Sequence, residues 1–496
     1  MAQALNTIVI MVDQMKATAS HLYGNSFCET PALARLADDG VLFRHAITPH
    51  PLCMPARVSF WTSQFPHSHG GRRNQTPMPA TATHAFQLWK AAGYHTGLIG
   101  KNHCFEGPQD LDYFDTWCQI GHGGPTQGEA TKGMQWFRPA DAIGRGHSRR
   151  RNMPQQSPRF GYATTDFPLE DYSTGLIAGQ TVRFLEERGS DPFALWVSFP
   201  DPHEPWEAPQ QYADMFPADR IQMPSWREDE FTDGTAPERN RVLHEILGIG
   251  EDPKEDVLGV MGTYYAMVRF LDDAVAQILD AVERLGLREN TAIVFCSDHG
   301  DFMGEHAMTC KGGVFYDCLT RVPLIVSCPD RLPVGEIDDS MANLIDIVPT
   351  LLQLQGIDVP PSMHGKALPT VTDTAGRDAT FSEYGAGGPA FTMADLESYE
   401  KPYGRSALMQ SLYAREAEGR RKMVRTIDWK YVHDPMGDCD ELYDLVNDPW
   451  ELTNVAGDSA CATTLAEMRL RLADWSIETE DTCPVPLPDT AGPVTR

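Results

Sequence analysis

The strongest constraint on the fold is the alternation of short, continuously apolar β-type runs with helical stretches. "LNTIVIMVDQ", "PFALWVSFP", "TAIVFCSDHG" and "VPLIVSCP" show no polar alternation. Such runs suit strands buried on both faces, as in a parallel sheet covered by helices on each side. Between them, "TPALARLADDG" has Thr30 placed to cap a helix, Pro31 at its first position and Gly40 at its end. "HAFQLWKAAGYHTGLIGK" reads as helix, turn and strand. "EDVLGVMGTYYAMVRFLDDAVAQILDAVERLG" reads as one long helix stopped by Gly286, and "NLIDIVPTLLQLQG" as a helix kinked at Pro349. The predicted fold class is therefore α/β, with a large, mostly parallel sheet flanked by helices over residues 1–375.

The pattern then changes. "RKMVRTIDWKYVHD" and "ELYDLVNDP" suit short antiparallel strands, and "TTLAEMRLRLADWSIE" suits a terminal helix. A smaller C-terminal α+β domain is expected over 376–496. The stretches 120–170 and 203–255 are rich in Pro, Gly and charge and read as long loops.

Charge narrows the function. With 69 acidic against 41 basic residues, the formal net charge is −28. A nucleic-acid partner is not expected, because the one basic run, "GRGHSRRRN" (Gly144 to Asn152), reads as an exposed loop. An anion site in such a chain has to be built from local cations. No run is long enough to span a membrane. "MAQALNTIVIMVDQ" carries no basic leader, and the eleven cysteines have no paired spacing. A cytoplasmic, reducing location is expected.

Open parallel sheets bind ligands beyond the carboxyl ends of their strands. Two strand-like runs end in polar pairs there: Asp13 with Gln14, and Asp298 with His299. If the strands are neighbours, their oxygens and one imidazole suit a hard or borderline divalent cation; taken singly, each pair also fits a turn or helix cap. A second constellation is Cys53, Pro55 and Arg57 in "CMPAR" at the start of a helical run. Backbone amides at a helix start favour an anion, and Arg57, one turn on, adds a fixed positive charge. A cysteine so placed has a lowered pKa and is reactive.

These residues resemble the C-x-P-x-R signature of the type I sulfatases, within the alkaline phosphatase superfamily. In that family the cysteine is oxidised by a separate formylglycine-generating enzyme to formylglycine. The resemblance extends along the chain. "TIVIMVDQ" is similar to the first metal strand, and "GLIGKNHC" to the lysine–histidine motif, giving Lys101 and His103. "SFPDPHEPW" resembles the segment of the active-site histidine, His203. "SDHGDFMGEHAMTCKGGVFYDC" resembles the second metal segment with its lysine, Lys311, and "ELYDLVNDPWELTNVAG" the C-terminal strand. The Asp-Gln and Asp-His pairs resemble choline sulfatases and phosphonate monoester hydrolases more than sulfatases with Asp-Asp and Asp-Asn. The Lys101–His103 pair points back toward a sulfatase.

The resemblance implies an alkaline phosphatase-like fold and a divalent metal at Asp13, Gln14, Asp298, His299 and residue 53. Ca2+ is expected, with Mn2+ or Mg2+ as alternatives. It further implies Arg57, Lys101, His103, His203 and Lys311 as catalytic groups, Asn74 as a substrate contact, and a homodimer or homotetramer as the assembly. In choline sulfatases an acidic residue in a segment like "FSEYGAGG" faces the ammonium, which is the place of Glu383; as an ordinary glutamate it would lie on the surface. Trp117, Trp136, Trp206 and Tyr384 are either pocket walls or packing, and His67, His69, His95 and His306 take no assigned role. The expected activity is hydrolysis of a small aryl or alkyl sulfate. The alternatives are a phosphonate monoester or phosphodiester hydrolase, a choline sulfatase, and a non-catalytic anion binder with unmodified Cys53.

Overall fold

The computed structural model describes residues 4–121, 131–144, 161–188, 191–372, 376–403, 407–408, 410–411 and 418–480. Arg145 to Asn152, most of the basic run, lie outside these residues. Among the described residues fourteen strands follow in chain order: β1 (Asn6–Val12), β2 (Val41–Ile47), β3 (His95–Gly100), β4 (Thr116–Gln119), β5 (Tyr162–Thr165), β6 (Phe193–Ser198), β7 (Trp206–Pro209), β8 (Thr291–Ser297), β9 (Leu324–Ser327), β10 (Glu336–Asn343), β11 (Thr380–Tyr384), β12 (Arg421–Arg425), β13 (Trp429–His433) and β14 (Glu441–Asp444).

Eight of them form the main sheet in the order β10-β2-β9-β8-β1-β6-β3-β4. All pairings are parallel except those of β9, which runs antiparallel to both neighbours. The sheet is thus mostly parallel, as the apolar runs predict. Every residue of β1 is buried. Ile8, Ile10 and Val12 face one core, shared with the helices Pro31–Asp38, Ser173–Arg188 and Lys254–Arg284. Val9 and Met11 face the other, shared with the helices Cys53–Thr62, Ala85–Ala91 and Ile347–Gln355. A strand packed on both faces has no solvent side, so its sequence shows no polar alternation.

The strands β11 to β14 make a second, antiparallel sheet. The terminal helix Ala462–Glu478 covers it through Met468, Leu472 and Trp475, and Phe65 and Ile345 of the larger unit complete that core.

Two expectations are corrected. Pro349 makes no interior kink, because the α-helix begins at Ile347 and places it in the first turn, where no N–H is required. The stretch 203–255 is not all loop: it holds β7 and the helix Glu238–Leu247, whose Val242, Leu243, Ile246 and Leu247 are buried. The apolar face of that helix is short and interrupted by charge, which hid it. Among the described residues ten cysteines are free and eight of these are buried. No described helix is long and apolar enough to cross a membrane.

Candidate active site

Four adjacent parallel strands, β8, β1, β6 and β3, release their chains at one edge of the sheet. β1 and β8 pair in register, Val12 opposite Ser297, so Asp13 and Asp298 leave the sheet side by side. β6 leads into His203 and Glu204, and β3 into Lys101 and His103. The β3–β6 exit is tight: a Cβ on Gly100 would lie 1.9 Å from the Ser198 carbonyl oxygen, and Gly100 has φ of +113°. Only glycine fits there. Gln14 and His103 also hold left-handed backbone, with φ of 69° and 54°. Such strain in non-glycine residues concentrates at functional sites.

Cys53 is the first residue of its helix and fully buried. Its Sγ lies 3.0 Å from His299 Nε2, 3.3 Å from Lys311 Nζ and 3.7 Å from Asp13 Oδ1. His103 and His203 also hydrogen-bond to it. Burial and the Asp13 carboxylate push the thiol up, but Lys311, Lys101 and His299 outweigh them and hold it well below the usual thiol range.

Arg57, one turn on, locks the two carboxylates together. Its Nη2 donates to Asp13 Oδ2 at 2.9 Å and its Nε to Asp298 Oδ2 at 2.8 Å. Nη1 donates to Ser198 Oγ at 2.9 Å and to the Lys101 carbonyl at 3.2 Å. All three charged side chains have no solvent exposure, so each charge depends on the others. Lys101 Nζ also donates to Asp13 Oδ2. Burial opposes the charge on Asp13, yet Lys101, His203, Arg57 and Lys311 hold its carboxyl well below the usual range.

Asp13, Cys53, Asp298 and His299 each offer one ligand atom, all within 4.8 Å of one another. Two buried carboxylates and an imidazole, with residue 53, fit a divalent cation. Gln14 is oriented for the same site. Its Nε2 donates to Asp301 Oδ2 at 2.5 Å and Glu204 Oε2 at 3.1 Å, which leaves Oε1 to accept from Lys311 Nζ at 2.5 Å. Burial, with Glu204 nearby, raises Asp301 to about 6.

The two histidines differ. Burial lowers His203, but Glu204, whose Oε2 is 3.0 Å from Nδ1, overrides this and raises it to about 9. Burial holds His103 below the ordinary imidazole value, and its Nδ1 has no hydrogen-bond partner among the described residues. One is suited to donate a proton, the other to accept one.

Asp13, Gln14, Cys53, Arg57, Lys101, His103, His203, Asp298, His299 and Lys311 therefore meet at one place. Asn74 meets the helix start: its Oδ1 accepts from the Met54 amide at 3.0 Å. Glu383 does not join the group around Cys53. Nor is it a surface glutamate, since it is 6% exposed and bonded to His67, whose Nδ1 lies 3.1 Å from both its oxygens. A cationic setting compensates its burial. Trp117 and Trp206 are core residues, Tyr384 is buried against His50, and Trp136 packs on the core edge. Sequence reasoning missed Glu204 and Asp301; both are acidic residues within two positions of a chosen histidine, the one signal available.

Comparison with known proteins agrees with this geometry. Residues 5–357 match the sulfatase family model. The chain is 28% identical to an arylsulfatase of Clostridium perfringens over 91% of this chain and 90% of that one. It is 28% identical to a choline-sulfatase of Rhizobium meliloti, over 96% and 88%. The crystal structure of a phosphonate monoester hydrolase of Agrobacterium radiobacter shares the fold, with a TM-score of 0.77, 23% identity and 97% of both chains covered. A family match over most of the chain, on a fold that brings the candidate ligands together at one sheet edge, makes the conclusion plain: this chain belongs to the sulfatase family of hydrolases, in the alkaline phosphatase superfamily.

Proposed function

We propose that the protein hydrolyses the sulfate monoester of a small aryl or alkyl alcohol, with Cys53 matured to formylglycine as nucleophile. The observation that carries this reading is the crowding of His299, Lys311 and Asp13 around one buried Sγ at a helix start. A purely structural thiol has no need of two lysines, an arginine and three histidines about it.

Formylglycine hydrates to a gem-diol. One hydroxyl attacks sulfur and the alcohol departs, protonated by His203 or Lys311, leaving a sulfo-enzyme. The second hydroxyl gives its proton to His103 and collapses to the aldehyde, expelling sulfate. Water then rehydrates the aldehyde, so one ester and one water become one alcohol and one hydrogen sulfate. Lys101 and Lys311 offset charge on the sulfate oxygens, and Arg57 keeps Asp13 and Asp298 in place. A divalent cation held by Asp13, Gln14, Asp298, His299 and residue 53 would supply Lewis acidity; Ca2+ suits the oxygens and Mn2+ or Mg2+ are the alternatives.

The quaternary-ammonium reading is weakened because Glu383 is occupied by His67 and Lys422. The Asp-Gln and Asp-His ligand pairs keep phosphonate monoesters as the second substrate class, which relative turnover of a phenyl sulfate and a phenyl phosphonate separates. The mass of the tryptic peptide His45–Arg57 tests the nucleophile. Replacement of SH2 by O lowers it by about 18 Da. A peptide carrying only unmodified Cys53, from protein made in its native host, overturns the mechanism.

A further inference from the structure

A second cavity, of about 510 Å3, opens between the small sheet, the terminal helix and the short helical turn Pro66–His69. That volume falls in the range of about 300 to 1,000 Å3 usual for small-molecule sites. In a chain of net charge −28, its wall carries five Arg and Lys side chains against one carboxylate, Glu383.

Two of the five cations are left out of ion pairs among the described residues. Glu383 is shared between His67 and Lys422, and Arg469 is taken by Asp440. Among the described residues, neither the Arg72 nor the Arg420 guanidinium has a carboxylate within 4.0 Å. Arg421 is 5% exposed; its Nη2 donates to the Glu418 carbonyl and lies 3.6 Å from the Glu418 carboxylate, while its buried Nε, 3.9 Å from Asp434 Oδ2, has no hydrogen-bond partner among those residues. Its guanidinium lies over the Tyr384 ring at 4.7 Å, which fixes its plane. An unsatisfied buried N–H beside unpaired cations is costly unless an acceptor arrives. Lys422 stays below the ordinary lysine value: burial lowers it, Glu383 opposes this, and Arg72 and Arg420 lower it further. Tyr431, Leu472 and Ala473 give the wall an apolar stretch, beside the polar His67, His433 and Ser476.

We propose that this cavity binds a small organic anion, its carboxylate, sulfate or phosphate head held by Arg72, Arg420 and Arg421 and its apolar body laid on Tyr431 and Leu472. The cavity lining shares no residue with the group around Cys53, and the proposal does not rest on whether Cys53 is matured or sulfate esters are cleaved.

The test uses 4-iodobenzoate and the whole protein. Calorimetry is expected to give binding at millimolar or tighter concentration, and iodine anomalous signal from a soaked crystal to fall in the cavity. Arg421→Gln is expected to weaken binding about tenfold or more, as loss of a charge-assisted hydrogen bond does. Arg421 is partly structural, so Arg420→Gln, at an exposed position, is the second variant; it is expected to weaken binding severalfold with an unchanged melting temperature. No binding up to about 10 mM, iodine only beside Cys53, equal affinity for neutral 4-iodobenzamide, or unchanged affinity in both variants would each overturn the proposal.

Discussion

Glu383→Gln isolates the worth of one buried charge. The carboxyl, ordinarily near 4.5, is held at about 2: burial pushes it up, but the His67 hydrogen bonds and the charges of His67, Lys422 and Arg72 outweigh this. Each factor of ten in proton affinity is about 1.4 kcal/mol, so the ionised form contributes about 3 kcal/mol to folding at pH 7. Because the folded value is depressed, this stability is present above the unfolded value and lost as pH falls through the folded one. The window runs from about 4.5 down to about 2. Glutamine keeps the shape and one acceptor for the His67 amide but removes the charge. Urea unfolding, followed by tryptophan fluorescence, should therefore show the variant about 3 kcal/mol less stable at pH 7, with the gap falling to roughly half at pH 3. Trp475 is a natural reporter, its ring 5.5 Å from that of His67. A gap below about 0.5 kcal/mol at pH 7, the level of an ordinary surface substitution, would refute the reasoning, as would a gap that does not change with pH.

Three further outcomes are expected at the Cys53 site. Arg57→Met leaves Asp13 and Asp298 without their shared partner and should cost about 3 to 5 kcal/mol in thermal or urea unfolding; an unchanged midpoint would mean the carboxylates find another counter-charge. Lys311→Ala should lower kcat for an aryl sulfate about 100- to 1,000-fold, the cost of removing one donor to a developing oxyanion, and a change confined to KM would contradict that role. Asp301→Ala frees the Gln14 amide to turn and should weaken metal affinity about 10- to 100-fold in a chelator competition, with little change if Gln14 is not a ligand.

Much of this was legible in the sequence, for identifiable reasons. The runs ending in Asp13 and Asp298 show themselves because a strand buried on both faces has to be apolar throughout and then turn polar where it leaves the sheet. Cys53 and Arg57 sit one turn apart, so local spacing alone puts them on one face. Long-range pairing is what spacing cannot carry. Asp13 and Asp298 become neighbours only through the β1–β8 register. The His67 that keeps Glu383 charged is 316 positions away, and without it a glutamate in "FSEYGAGG" reads as exposed. The antiparallel β9 is as apolar and as buried as β8 beside it, so direction leaves no trace. The turn of the Gln14 amide depends on Glu204 and Asp301, which approach from two other segments.

The order β8-β1-β6-β3 has a metric consequence. Neighbouring strands stand about 4.8 Å apart, so the four exits are spread over roughly 14 Å. One ion cannot reach across that width. The first interval, between β8 and β1, matches the separation of two ligands of one cation, while β6 and β3 stand off by a further one and two steps. The sheet thus acts as a ruler that sorts chemistry by distance. The candidate cation ligands Asp13, Gln14, Asp298 and His299 follow the near pair of strands, and the two imidazoles proposed as proton carriers, His203 and His103, follow the far pair. Only a side chain as long as that of Lys101 bridges back from β3 to Asp13.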